Sequence, residues 1–186
     1  MEVMEAIYRR RAVRSYTSEP ITKSALQRLI NAAVQAPSAM NAQPWLFAIV
    51  QNEKKLAELS TRAKKMLLEA TRGDAKTKHY GPLLGDPSFN VFYDAKTLVV
   101  IGAPRATYAE ADCWLAAEAL MLAAYEAGLG TCPIGFAVGV LNEPDVLRDL
   151  GFPDGAAAIA PIIVGYPSSS APPIPRTDPR VVSWIK

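Results

Sequence analysis

Four guanidinium groups fall within six residues, at Arg9, Arg10, Arg11 and Arg14. Planar, forked and permanently charged, they suit the oxygens of a phosphate. They equally suit the end of a helix, whose carbonyl dipoles attract cations. A second polar group, Ser38, Asn41 and Gln43, lies in Ala36-Pro-Ser-Ala-Met-Asn-Ala-Gln-Pro-Trp45, where prolines at 37 and 44 prevent a continuous helix. It offers hydroxyl and amide partners to a ligand, or ordinary turn bonds to its own backbone. The third segment, Gly128-Leu-Gly-Thr-Cys-Pro-Ile-Gly135, is a glycine-rich bend where backbone can approach a flat ligand or simply pack closely.

Other chemistries lack their residues. His79 is the only histidine, so a histidine-rich metal site is excluded and a Ser-His-Asp arrangement would rest on that residue alone. Neither a GxGxxG opening a helix nor a GxxxxGK[ST] occurs. Cys113 and Cys132, each in an apolar segment and without CxxC spacing, read as reduced buried thiols. Glu110, Asp112, Glu118 and Glu126 read as solvated or interface-rim positions of one long helix. No protein group is therefore assigned as catalytic, and no metal is expected. Such a chain is better suited to holding a cofactor that carries the chemistry itself.

The elements that must position these residues follow from patterning. Residues 2 to about 10 read as a first helix, and a second runs from a capping box at Ser24-Ala-Leu-Gln27 to about Ala36. Trp45 to Val50 reads as a buried strand, and Asn52 to Ala70 as a helix. Residues 71–95, with three Gly and two Pro, read as a variable loop or lid. Thr97 to Ile101 is the next strand, and Tyr108 to Gly130 a helix apolar nearly all round, which must be covered on most sides. A partner subunit is an economical cover, so a homodimer is expected. Asn142 is expected to cap a helix ending at Leu150, Ala158 to Tyr166 forms the last strand, and 167–186 forms an extended arm. Helices first and strands at unequal spacing favour an α+β fold, with 1–186 a single domain.

Composition sets outer bounds. The 186 residues carry 20 Lys+Arg against 18 Asp+Glu, a net charge of +2 that gives no nucleic-acid footprint. The longest apolar stretch, Ala156 to Gly165, is far short of the roughly 20 residues a membrane-spanning helix needs. No secretory signal pattern follows the arginines, so a cytoplasmic protein with no membrane partner is expected.

Taken in order, these segments resemble the nitroreductase family of FMN-dependent oxidoreductases. Arg10-Arg11-Ala12-Val13-Arg14 is similar to the family's opening R-R-S-x-R cluster. Ala36 to Trp45 resembles its A-P-S-x-x-N-x-Q-P-W motif, the most specific of the set, and Gly128 to Gly135 its G-L-G-T-C-x-I-G loop. Val164-Gly-Tyr-Pro167 and Pro175-Arg176 resemble its final strand and the proline-rich stretch after it.

The resemblance implies an α+β sandwich with a central, mostly antiparallel sheet flanked by helices. It also implies an intertwined homodimer with FMN at the subunit interface and NADH or NADPH as electron donor. By the family's pattern Arg10 and Arg176 would hold the phosphate, and Arg11, the Ala12 backbone and Arg14 would serve the ribityl and pyrimidine side. Ala12 stands where the family often has serine, which removes a hydroxyl contact. Pro37, Ser38, Ala39 and Asn41 would reach the flavin from the other subunit, while Pro133, Ile134 and Gly135 would line its rings. Asn90 is a candidate for the pyrimidine, and Phe89, Phe92 and Tyr93 either shape a small-molecule acceptor pocket or pack. The implied reaction passes a hydride from NAD(P)H through flavin to nitroaromatic, quinone or similar electron-poor acceptors by a ping-pong mechanism. The alternatives are another flavin reaction on the same fold, such as dehydrogenation, dehalogenation or flavin conversion, or flavin binding without turnover.

Overall fold

Apolar runs and capping residues divide the chain into α1 (Val3–Arg9), α2 (Lys23–Ala33), β1 (Leu46–Val50), α3 (Glu53–Ala70), α4 (Ala75–Gly85), β2 (Thr97–Pro104), α5 (Ala109–Glu126), β3 (Gly130–Pro133), α6 (Val138–Leu141), α7 (Pro144–Asp149) and β4 (Ala156–Gly165). This is a computed structural model describing residues 2–72, 75–170 and 172–186, with the side chains of 75–79, His79 among them, outside the description. The strands form one antiparallel sheet in the order β1-β2-β4-β3.

Strand periodicity splits the core between the two faces of that sheet. Leu98, Val100 and Ile163 pack with Leu56, Leu59, Val140, Leu141 and Val146 of α3, α6 and α7. Val99, Ile101, Ile162 and Val164 pack with Leu26, Leu29, Cys113 and Leu120 of α2 and α5. Alanines 25, 33, 116, 117 and 124 let α2 and α5 approach closely on that side. The α+β architecture therefore holds, as three layers. On its other flank α5 leaves Trp114 and Leu115 exposed.

Several expected details change. The cap of α2 is Thr22, whose hydroxyl accepts the Ala25 N–H at 3.2 Å, so the helix starts ahead of the Ser24 box. Asn142 closes the C-terminal end of α6 instead of capping α7. Its amide bonds the Val138 and Ala158 carbonyls and the Ala158 N–H, tying α6 to β4, while Glu143 precedes α7.

The segment 71–95 is no loop: it contains α4, a helix with Pro82 inside it and almost no apolar stripe. Turns follow α4, with Val91 and Phe92 fully buried and the Val91 N–H donated to Ser60 of α3. Lys64 of α3 also donates to the Asp86 and Phe89 carbonyls at 3.0 and 2.7 Å. Beyond Ser168 the described tail has no regular element and is exposed. Among the described residues no helix is long and apolar enough to cross a membrane, and no group of three or more His, Cys, Asp or Glu could hold a metal.

Candidate functional site

The arginine segment leaves α1 and is fastened to the end of the sheet. Ala12 bridges Thr131 of β3, and the Val13 N–H donates to the Thr131 carbonyl at 2.9 Å. Tyr16 bridges Pro167, just past β4. Two glycines permit this approach: a Cβ on Gly130 would stand 2.8 Å from the Val13 side chain, and one on Gly165 2.6 Å from the Tyr16 ring. The Tyr16 hydroxyl donates to the Val13 carbonyl at 2.6 Å, and burial pushes its phenol well above the usual range. The segment is thus a rigid rail along β3.

From that rail the arginines part ways. Arg9 pairs with Glu5 one turn back, at 3.6 Å. Arg11 donates to the Tyr8 and Arg10 carbonyls, both at 2.7 Å, and so closes the end of α1. For Arg9, exposed in the last turn of α1, and for Arg11 the helix-end reading holds. The Arg10 guanidinium makes no hydrogen bond among the described residues, and its Nε stands 3.6 Å from the Glu118 carboxylate in an ion pair. The Nε atoms of both Arg10 and Arg11 are buried without a hydrogen-bond partner. Arg10 and Arg11 line a cleft of about 210 Å³, together with Arg9, Gly130, Thr131 and Ser169 among others, and with no carboxylate in the lining. An unpaired buried donor costs about 1 to 3 kcal/mol, more when charged, and an entering anion removes that cost.

A second cleft, of about 320 Å³, takes Arg14, Tyr80, Tyr93, Pro133, Ile134, Gly135 and Phe136. The Arg14 guanidinium lies 5.7 Å from the Tyr93 ring centre, and Tyr80 meets Phe136 edge-on at 5.4 Å. A Cβ on Gly135 would meet nothing within 4 Å, so this backbone presents an open face. Cys132 lines the same cleft as a neutral thiol: burial pushes it up, against the opposing pull of Arg14 and Arg10. Burial likewise pushes Cys113 up to about 12. Neither is a nucleophile at neutral pH. A larger hollow, about 760 Å³ along the free edge of β1, is an open trough in which Lys55 is already paired with Glu58 and Asp149.

Both clefts therefore draw on the first and third sequence segments. Residues 37–41 line neither, and Arg176 sits on the exposed tail, also outside both linings. Phe89 packs edge-on against Tyr93 at 5.6 Å, outside the lining. Phe92 is a core residue and presents nothing to a ligand. The Asn90 amide is used at both ends, donating to Asp94 and accepting the Phe92 N–H, so it shapes its own turn.

Sequence reasoning missed three residues. Tyr80 was hidden in a segment read as a loop, and Phe136 directly follows the Gly135 that ends the third segment. Asp112, expected as a solvated or interface-rim position of α5, is buried within its own chain.

Known proteins share this fold. The family model described as "Nitroreductase family" matches residues 7–166. The iodotyrosine deiodinase of Thermotoga neapolitana is 31% identical over 91% of this chain and 91% of its own. The FMN reductase [NAD(P)H] of Bacillus subtilis is 26% identical over 98% of this chain and 72% of its own. A crystal structure of a nitroreductase with bound FMN from Bacteroides fragilis superposes with a TM-score of 0.83 at 30% identity, covering 100% of this chain and 98% of the other. By the family match and the extent of these likenesses, the chain belongs to the nitroreductase family.

Proposed function

We propose that the protein is an FMN-dependent oxidoreductase, working as a homodimer, that takes electrons from NADH or NADPH and delivers them to an electron-poor acceptor. Nitroaromatics and quinones are the acceptor classes, in a ping-pong cycle. The observation that carries the reading is that Arg10 and Arg11, each with a buried Nε–H that has no hydrogen-bond partner, line one cleft free of carboxylates. These residues fit a phosphate monoester, and the rail along β3 leads from them to the open backbone at Gly135. Relatives named for FMN and for NAD(P)H support it.

Arg10 would hold the phosphate, with Arg176 joining from the tail. Arg11, the Ala12 backbone and Arg14 would serve the ribityl and pyrimidine side, and Pro133, Ile134 and Gly135 the rings. Pro37, Ser38, Ala39 and Asn41 line neither cleft of their own chain, which suits a role toward the flavin of a second copy. When bound, FMN supplies the two-electron chemistry, accepting from the nicotinamide and giving to the acceptor. The protein's own share is binding and orientation, since its two thiols are buried and neutral.

A second reading, reductive dehalogenation of a halogenated aromatic, is favoured by the 31% identity to a deiodinase. A visible spectrum of the purified protein, before and after anaerobic NADH or NADPH, tests the first half of both. A flavin spectrum that bleaches is expected. Reoxidation by a nitroaromatic or quinone then separates the first reading from reoxidation by an iodinated phenol. A colourless protein that FMN does not reconstitute overturns both.

A further inference from the structure

Asp112 is 4% exposed, stands in the first turns of α5, and plays no part in the two clefts. A buried carboxylate is retained at a cost unless its hydrogen bonds offset the lost water. Its Oδ1 accepts the Ala39 N–H at 3.0 Å, and its main-chain carbonyl accepts the Trp45 indole N–H at 2.9 Å. One residue thus grips both ends of the Ala39–Trp45 stretch.

Between the grips the backbone is left-handed at three residues with side chains, Met40 (φ 55°), Asn41 (φ 54°) and Gln43 (φ 48°), a conformation that L-residues resist. Met40 is 98% exposed, so no packing from above holds this shape. The bonds inside the loop run one way. The Gln43 N–H donates to Ser38 Oγ and its side-chain amide donates to Asn41 Oδ1, both at 3.0 Å. Acceptors are consumed, while the Ser38 hydroxyl proton and the Asn41 amide hydrogens stay available as donors.

We infer that Asp112 is a positioning residue: through Ala39 and Trp45 it holds Ser38 and Asn41 as preset donors toward the oxygens of a flavin bound by a second copy of the chain. The inference rests on the FMN reading above. Since Asp112 Oδ2 makes no hydrogen bond among the described residues, what the loop needs is the Oδ1 acceptor, and an amide supplies that equally well.

The test is the FMN dissociation constant of the full chain, from flavin fluorescence, in wild type and four variants. Asp112→Ala is expected to weaken FMN about tenfold or more, Trp45→Phe by roughly two- to fivefold, and Asp112→Asn by less than about twofold. Rescue by Asn shows that the Oδ1 acceptor, rather than the carboxylate's charge, holds the loop. Equal loss in the Asn and Ala variants, or wild-type affinity in Asp112→Ala, overturns the inference. If Asp112→Ala does not fold, Trp45→Phe takes its place, and unchanged affinity there overturns it. Arg10→Ala, the fourth variant, separates this from the underlying reading. Flavin lost there but kept in the loop variants overturns the Asp112 role alone, flavin kept in all of them overturns the Arg10 role as well, and a wild type that binds no FMN overturns the FMN reading itself.

Discussion

Arg62 on α3 and Arg10 beyond α1 are the same side chain in opposite circumstances. Arg62 donates to Glu143, to the two oxygens of Asp145 at 2.8 and 3.0 Å, and to Glu58 at 3.4 Å. Three carboxylates satisfy one guanidinium, and the result ties α3 to α7 and the residue before it. Arg10 has one carboxylate at 3.6 Å and a buried Nε with no hydrogen-bond partner. A cation balanced inside the chain joins elements. One left short of partners at a cleft carries a standing cost that an anion from outside removes. The difference in pairing, rather than in residue type, separates a brace from a binding group.

Removing each arginine tests that contrast, and Arg10 should show the larger effect. Arg10→Ala is expected to weaken FMN by about 10- to 100-fold, the equivalent of a lost charge-assisted hydrogen bond of roughly 1.5 to 3 kcal/mol. Since no hydrogen bond within the described residues is lost, the thermal midpoint of the apoprotein should move by less than about 2 °C. Equal flavin-to-protein ratios in variant and wild type would break the comparison at its stronger end.

Arg62→Ala should give the mirror image. Exposed ion pairs are worth little singly, but this network has several partners, so a loss of about 1 kcal/mol is expected. For a chain of this size that lowers the thermal midpoint by about 2 to 4 °C. Flavin content should not change. A variant that loses flavin while keeping its midpoint would mean that the brace and the binding group had been assigned the wrong way round.

How far the contrast was legible in the sequence depended on what each residue needed from outside its own segment. Strand and helix positions near the three segments followed from local signals, such as the aliphatic run before Val50 or Asn52 accepting the Lys55 N–H as a cap. Helix α4 did not, because Gly81 and Pro82 sit inside it and its faces differ little in polarity. The division of labour among Arg9, Arg10, Arg11 and Arg14 was also invisible. Which one closes the helix and which one borders a cleft depends on side-chain direction, not on spacing. Asp112 misled for a related reason. On a helix apolar nearly all round, one acidic residue marks no face, and only the loop folded against it shows that the carboxylate points inward. Phe92 and Asn90 stood among polar residues like surface groups, yet the turns there bury one and occupy the other.

The smallest expected effect separates charge from packing within the brace itself. Hydrogen bonds from Arg62, with its charge adding to them, hold the Asp145 carboxyl at about 2, below the ordinary 3.8. A carboxyl depressed by folding stabilises the native state above its unfolded pKa and loses that contribution as pH falls through the folded one. Asp145→Asn should therefore unfold at a slightly lower urea concentration than wild type at pH 7. The gap should begin to close near pH 4, be mostly gone at pH 2 and vanish below it, where both chains carry an uncharged group. Because Asp145 is exposed, the gap is small at any pH and shrinks further in high salt. A gap that persists unchanged to pH 2 would mean that the side chain's shape, rather than its charge, joins α7 to α3, and Arg62 would then cease to be the balanced counterpart of Arg10.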